Sequence, residues 1–382
     1  FMNKVFVVVV TVSVFIAVGC STVPNSSSTE PVISQTVASF HRPESSSFSM
    51  DGKYLFVANC ASGLYGKDKN FALKVGDGAI SKLAVSESGK LKMVDPKFVS
   101  GLNTPLGTTT LLKPTKMFPA GSLFVNTGIY VICDKDDKYI TDPKVMGTGV
   151  TIIDPDSGKI LGRIDTTPGS AVTKAIGDTF PLPNGIIFDT EGNLYVTDTG
   201  ESCGVKNTAM PAKGKGGVIR INHDAIDSFA QNKAHDGIHF IPITLPNGVA
   251  FNPHTDSVLV VTCQSGEGET KDGVYSIPVK DFMKTKEPKA LVSGFGGLDG
   301  AAVTPAGSII VSVMKGHLTK IAKDGTKVEI AFDPAVKFMG PSDIKIRELK
   351  DGTSILLLPE QDHLNPNLWK QRLRVIRLPE GY

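Results

Sequence analysis

The chain has no run of five or six like charges, and 40 basic residues against 38 acidic ones leave a formal net charge of +2. A nucleic-acid or polyanion partner therefore has no electrostatic footprint here. None of the five cysteines forms a CxxC pair, which argues against zinc-ribbon or dithiol redox chemistry. Ser-His-Asp catalysis is not among the expected chemistries. The apolar run at the N-terminus, Val5 to Gly19, is fifteen residues, too short to cross a bilayer core of roughly 30 Å. Lys213-Gly214-Lys215-Gly216-Gly217 lacks the spacing and the Ser/Thr of a phosphate loop. What is plentiful is Gly (39) and Pro (24), about one residue in six, spread along a chain of ordinary soluble composition with 41% hydrophobic and 20% charged residues. That spread predicts many short strands joined by turns.

The apolar run has the length of a signal-peptide core and ends at Cys20. Ala17-Val18-Gly19-Cys20-Ser21 resembles a bacterial lipobox, in which small residues precede a cysteine that is lipidated and becomes the new N-terminus, although Ala17 stands where Leu is usual. Export is expected, by lipidation at Cys20 or by ordinary signal-peptidase cleavage. Ser21 after the cysteine, where Asp would retain a lipoprotein, favours the outer membrane. Residues 1–20 then form the signal, 21–32 a flexible tether carrying Ser26-Ser27-Ser28, and 33–382 the folded body. Cys60, Cys133, Cys203 and Cys263 remain in a compartment that permits disulfides, as buried small residues or as one or two bridges.

One block recurs six times: a turn, an apolar strand, a second turn and a second apolar strand. It opens at Pro43-Glu44-Ser45, Pro105-Leu106-Gly107, Pro183-Asn184-Gly185, Pro246-Asn247-Gly248, Leu298-Asp299-Gly300 and Pro341-Ser342-Asp343. Between copies lie further strand pairs, as in Ile80 to Val94, Gly149 to Ile164 and His317 to Ile330. Each unit therefore holds about four strands. The expected fold is all-β, a six-bladed β-propeller of four-stranded antiparallel blades. A two-sheet sandwich would not explain six copies in register. Val32 to Ala38 is placed as the outer strand of the last blade, beside the strand Leu373 to Leu378 that ends the chain.

Equivalent positions of a propeller converge on one end of its channel, so Glu44, Leu106, Asn184, Asn247, Asp299 and Ser342 should face one another. Asn-Gly and Asp-Gly are also ordinary turn dipeptides. Yet Glu44, Asn184, Asn247 and Asp299 all bring oxygen ligands to one register, a set suited to a hard divalent cation.

These motifs, with Asp198-Thr199-Gly200, resemble the senescence marker protein, gluconolactonase and luciferin-regenerating enzyme family, related in architecture to paraoxonases and diisopropyl fluorophosphatase. The resemblance covers nearly the whole mature chain. It implies one divalent cation, Ca²⁺ or in some members Zn²⁺ or Mn²⁺, held by Glu44, Asn184, Asn247 and Asp299, and action on lactones, esters or phosphotriesters. Asp299 would then act as base or as nucleophile. Two departures stand out: Glu44 is followed by Ser45-Ser46 where the family usually has Gly-Pro, and Leu182 replaces an Arg common in sugar-lactone members. Leu182, Leu106 and Leu298 near the mouth point to a less polar substrate, or pack the channel wall.

Asn59, Asp198, Leu182 and Cys263 are candidates for the rim. Asp154-Pro155-Asp156-Ser157-Gly158 sits at a hairpin tip and reads as a turn rather than a calcium loop. His235 and His239 are spaced for zinc only on a helix, whereas Ala234 to Pro242 reads as loop and strand. Insertions near residues 61–79, 129–148 and 200–216 could cover the mouth. The expected function is an exported, metal-dependent hydrolase of a small lactone or related ester. The alternative is a non-catalytic propeller that binds a protein or a cell-envelope ligand; strictosidine-synthase-like chemistry is disfavoured by the four metal-type ligands.

Overall fold

The computed structural model describes residues 30–60, 73–128, 132–133, 142, 145, 147–200, 216–263, 272–361 and 371–382. Their strands form six four-stranded antiparallel sheets arranged as a six-bladed β-propeller. From the axis outward, blade one runs Pro43–Phe48, Tyr54–Asn59, Gly78–Val85 and Leu91–Leu102, and blade two runs Thr108–Thr110, Leu123–Thr127, Gly149–Ile153 and Ile160–Asp165. Blade three is Pro183–Phe188, Leu194–Asp198, Gly217–Ile221 and Ile238–Pro242; blade four is Pro246–Asn252, Ser257–Thr262, Gly273–Pro278 and Ala290–Ser293. Blade five is Leu298–Val303, Ile309–Val313, His317–Ile321 and Lys327–Glu329. Blade six takes Lys345–Glu348, Ser354–Glu360 and Arg372–Leu378 from the C-terminal end of the chain, and Val32–Ala38 closes it as the outer strand. The ring is thus sewn shut as the sequence predicts, with Val32 opposite Arg377 and Ala38 opposite Arg372.

Such blades cannot bury both faces alone, and the core is accordingly distributed. Six hydrophobic clusters occur, one at each junction: Phe56 with Val125 between blades one and two, Phe124 with Phe188 between two and three, and so on to Leu55 with Leu357 between six and one. The sequence reading gave no helices. Among the described residues the structure adds the short α-helices Ala171–Ile176 and Ile226–Ala230, which pack their buried Val172, Ile226 and Phe229 into the junction of blades two and three. A two-stranded parallel pairing, Leu73–Lys74 with Ile132–Cys133, links the insertions of blades one and two.

The entry to five of the six inner strands follows one local rule. Pro43, Pro105, Pro183, Pro246 and Pro341 stand at its head, where the edge toward the channel needs no ladder N–H and proline is tolerated. Just before four of these prolines, Arg42, Thr104, Leu245 and Gly340 adopt positive φ values of 57°, 43°, 50° and 57°. This sharp corner turns the chain from one blade into the next. It costs a non-glycine residue roughly 1–2 kcal/mol, a sign that the surrounding structure imposes it.

Candidate metal and catalytic centre at the channel mouth

Immediately after the corner, each inner strand carries a β-bulge. In blade one Pro43 pairs with Asn59 and Ser46 with Val57, so the inner strand has one residue more than its partner. Blades three, four and five repeat the shift after Pro183, Pro246 and Leu298. In blade six the bridge Pro341–Glu360 and the pair Lys345–Leu357 enclose the same extra residue. Bulges re-aim side chains, and the first bulged residues are Glu44, Asn184, Asn247, Asp299 and Ser342. The four candidate ligands therefore share one local geometry as well as one register.

The second bulged residue is glycine in blades two to five because the neighbouring inner strand passes too close for a side chain. A Cβ on Gly107 would stand 2.2 Å from the Asn184 carbonyl oxygen, one on Gly185 2.7 Å from that of Asn247, and one on Gly248 2.5 Å from that of Asp299. Side chains from the preceding blade brace the bulges from behind. Asn126 Nδ2 donates to the carbonyls of Asn184 (2.6 Å) and Gly185 (3.1 Å). The Thr197 hydroxyl accepts from Gly185 N–H (2.8 Å) and donates to the Asn247 carbonyl. Ser312 accepts from Gly300 N–H (2.8 Å) and donates to the Ser342 carbonyl (2.7 Å).

The resulting ring is buried and acidic. Glu44 is 7% exposed and Asp299 6%. Burial, then the charge of Asp343, pushes the Glu44 carboxyl up to about 8. Burial, then the charges of Glu44 and Asp343, holds Asp299 well above the usual carboxylate range. Asp343 is the residue that the repeat did not reveal: it occupies the second bulged position, one step beyond the register at which Ser342 was the expected member. Its N–H donates to the Glu44 carbonyl (3.1 Å) and one carboxylate oxygen pairs with Lys345 Nζ (2.8 Å). The signal for it in the sequence is an Asp where four of the six copies have Gly.

Two polar atoms of this mouth are buried without a partner, Asn247 Oδ1 and Asp343 Oδ1. Asn247 spends its nitrogen on the Leu298 carbonyl (3.3 Å), and half-buried Asn184 spends its own on the Thr199 hydroxyl (3.1 Å). Among the described residues no three His, Cys, Asp or Glu side chains are drawn together closely enough to hold an ion by themselves. Amide oxygens would have to complete a ligand set. Desolvated carboxylates whose charges act on one another, with an orphaned amide oxygen at the same register, fit a hard divalent cation and its preference for oxygen. With all three carboxylates ionised, Lys345 and buried Arg42 offset only part of their charge, and the mouth stays net negative.

The rim candidates fall into other roles. Asn59 is buried and pins the entry loop of blade one, its Oδ1 accepting from His41 N–H (3.1 Å) while Nδ2 donates to the Ser81 hydroxyl (3.0 Å). Asp198 is fully buried and does the same for blade three through Leu182 N–H (2.7 Å) and Gly200 N–H (3.2 Å). Burial lifts its carboxyl to about 7. Leu182 is itself 8% exposed, part of the wall. Cys263 is buried and disulfide-bonded. It stands one place beyond the strand end, which is Thr262 opposite Pro246. Cys60 is a free buried thiol whose Sγ donates to the Pro105 carbonyl (3.4 Å). Burial, then the charge of Glu44, raises it well above its ordinary value, so it is no thiolate nucleophile. Asp154 bonds the turn amides of Asp156 and Ser157 as a hairpin tip does, and His239 lies in the strand Ile238–Pro242.

Cys20, Cys203 and most of the three insertions lie outside the described residues, as does the side chain of Cys133. Gly200-Glu201-Ser202-Cys203-Gly204 has the G-x-S-x-G spacing of a nucleophile elbow. It follows a strand of an antiparallel blade rather than the α/β sheet in which that motif operates, and residues 201–204 are outside the described set.

No family model and no curated protein sequence matches the chain. Solved structures do match in fold. A gluconolactonase from Xanthomonas campestris superposes with a TM-score of 0.53 at 14% identity, covering 90% of this chain and 87% of that one. A luciferin-regenerating enzyme gives 0.52 at 13% identity over 91% and 94%. The PQQ-bound form of an aldose sugar dehydrogenase from Streptomyces coelicolor gives 0.54 at 12% identity over 91% and 97%. At these identities the likeness establishes the fold, shared with the gluconolactonase and luciferin-regenerating enzymes that the motifs resemble.

Proposed function

We propose that the protein is an exported hydrolase of lactones or related esters that works with one divalent cation, Ca²⁺ first, held at the channel mouth by Glu44, Asn184, Asn247 and Asp299. The observation that carries this reading is the placement of these four side chains on equivalent bulges, with Asn247 Oδ1 buried and unpartnered and two carboxylates desolvated beside it. A cation bound there supplies polarisation of the carbonyl and stabilisation of the oxyanion. Glu44 and Asp299 give the charge that draws it in, and Asn184 and Asn247 orient it. Asp299 has a second carboxylate oxygen to accept a proton from attacking water; attack by that oxygen on the substrate is the competing role for the same residue. Leu298 is fully buried in the core between blades four and five, which leaves Leu106 and Leu182, each 8% exposed, as the apolar residues that favour a substrate less polar than a sugar lactone. In this reading Cys20 is lipidated and the segment that follows it tethers the ring to the outer membrane.

Calorimetric calcium titration of residues 30–382 tests the centre. One ion per chain is expected for the wild type and none for Glu44→Gln or Asp299→Asn. Asn247→Ala and Asp299→Ala should abolish hydrolysis across a panel of lactones, aryl esters and phosphotriesters while the melting profile persists. Retained turnover in both alanine variants would dismiss the hydrolase assignment. Failure of the wild type to bind any ion would leave a ligand-binding propeller.

A further inference from the structure

The third carboxylate of the mouth has no part in the proposed ligand set, yet its position is specific. Asp343 occupies the bulge position at which blades two to five have glycine and blade one has Ser45. On one side its N–H is bonded to the Glu44 carbonyl (3.1 Å). On the other, Asp343 Oδ1 lies 2.8 Å from where a Cβ on Gly300 would stand, and Gly300 directly follows Asp299. Asp343 thus stands between the strand entries that carry the two proposed carboxylate ligands. It is 7% exposed, and Oδ1 is buried without a partner while Oδ2 pairs with Lys345 Nζ at 2.8 Å.

Such a pair is costly to bury. An ion pair taken out of water gives little or no net stability compared with apolar side chains of similar size, and a glycine in its place would match the other blades. Electrostatics gives it a use. At close range in a partly desolvated site, each added or removed charge acts on an ion in proportion to the ion's own charge.

We propose that Asp343 and Lys345 set the charge of the channel mouth and thereby its cation affinity and valence preference. Asp343 adds a third carboxylate beside Glu44 and Asp299, while Lys345, together with buried Arg42 acting on Glu44, offsets part of that charge and leaves the mouth net negative. This rests on the reading of the mouth as a cation site. Removing Asp343 leaves Lys345 unpaired and the site one negative charge poorer; removing Lys345 exposes the full charge of Asp343. Both changes act more strongly on a trivalent ion than on a divalent one.

The test is calorimetric titration with Ca²⁺ and with terbium(III), an ion of similar size and higher charge, at constant pH and low salt. The proteins are wild type, Asp343→Asn and Lys345→Met. Affinity for Ca²⁺ is expected to rise in the order Asp343→Asn, wild type, Lys345→Met, by about tenfold per step, and the terbium-to-calcium affinity ratio should rise in the same order. If Asp343→Asn does not fold, Asp343→Gly restores the residue of four sister blades and takes its place. Wild-type binding that neither Asp343 variant weakens, or a ratio that does not follow the order, overturns this inference and leaves the four-ligand site standing. Absence of binding in the wild type overturns both.

Discussion

Asp198 shows how a single buried group ties this fold to pH. Its carboxyl titrates at about 7 in the folded chain because burial disfavours the charge, against about 3.9 in an unfolded one. The folded state therefore holds the proton more tightly. The stability this contributes is complete below pH 4 and is lost as pH rises through 7, at a slope approaching 1.4 kcal/mol per pH unit. Asp198→Asn keeps the acceptor for Leu182 and Gly200 and removes the charge. The wild-type melting temperature should fall more steeply than the variant's between pH 5 and pH 8; parallel curves would mean that Asp198 is ionised throughout. Glu44 follows the same sign within the mouth, so cation binding should release protons and stabilise the chain more at pH 8 than at pH 5. At this scale the four proposed ligands were legible because the repeat places them at one register. Asp343 was not, because it sits one residue off that register, and the positive-φ corners at Arg42, Thr104 and Leu245 leave no mark in their side chains.

At the scale of the element, the bulges depend on hydroxyls from the neighbouring blade. Thr197 is fully buried and its one oxygen serves both Gly185 and Asn247. Thr197→Val keeps the shape and strands a backbone N–H and a carbonyl, at a cost of about 1–3 kcal/mol for each group left unsatisfied. Lower thermal stability and weaker calcium binding are expected, both recovered by Thr197→Ser. Recovery of stability without recovery of binding would show that the brace supports the wall and not the ligand. The strand pairs themselves were readable from turn residues and apolar runs. The short helices Ala171–Ile176 and Ile226–Ala230 were not, since six and five residues carry too little periodicity to declare themselves and owe their form to packing on the outer strands Ile160–Asp165 and Ile238–Pro242.

For the molecule as a whole, the seam lies in blade six. Val32–Ala38 covers the strand that bears Leu373 and Val375, and Gln35 clips it to blade one through two hydrogen bonds with the Leu91 backbone (2.7 and 2.8 Å). Beneath it, fully buried Glu360 holds Arg372 (2.5 Å) and Arg374 (2.6 Å) together. A chain beginning at residue 30 should melt like the longer protein. One beginning at residue 40 leaves an unpaired edge, which invites edge-to-edge association; loss of the monomer peak and a lower melting temperature are expected. An unchanged monomer would show that three strands suffice. Ring closure was legible because the last copy of the repeat lacks a fourth strand of its own and the segment ahead of the first has a strand pattern to spare.

That seam makes the two ends of the fold neighbours, with Val32 paired to Arg377. The ring is then indifferent to where the polypeptide is cut. A short linker from Tyr382 to Glu30, with new termini opened in the exposed hairpin at Asp324-Gly325, would give a circular permutant with the same six junctions and the same mouth. The closing role would pass from blade six to blade five.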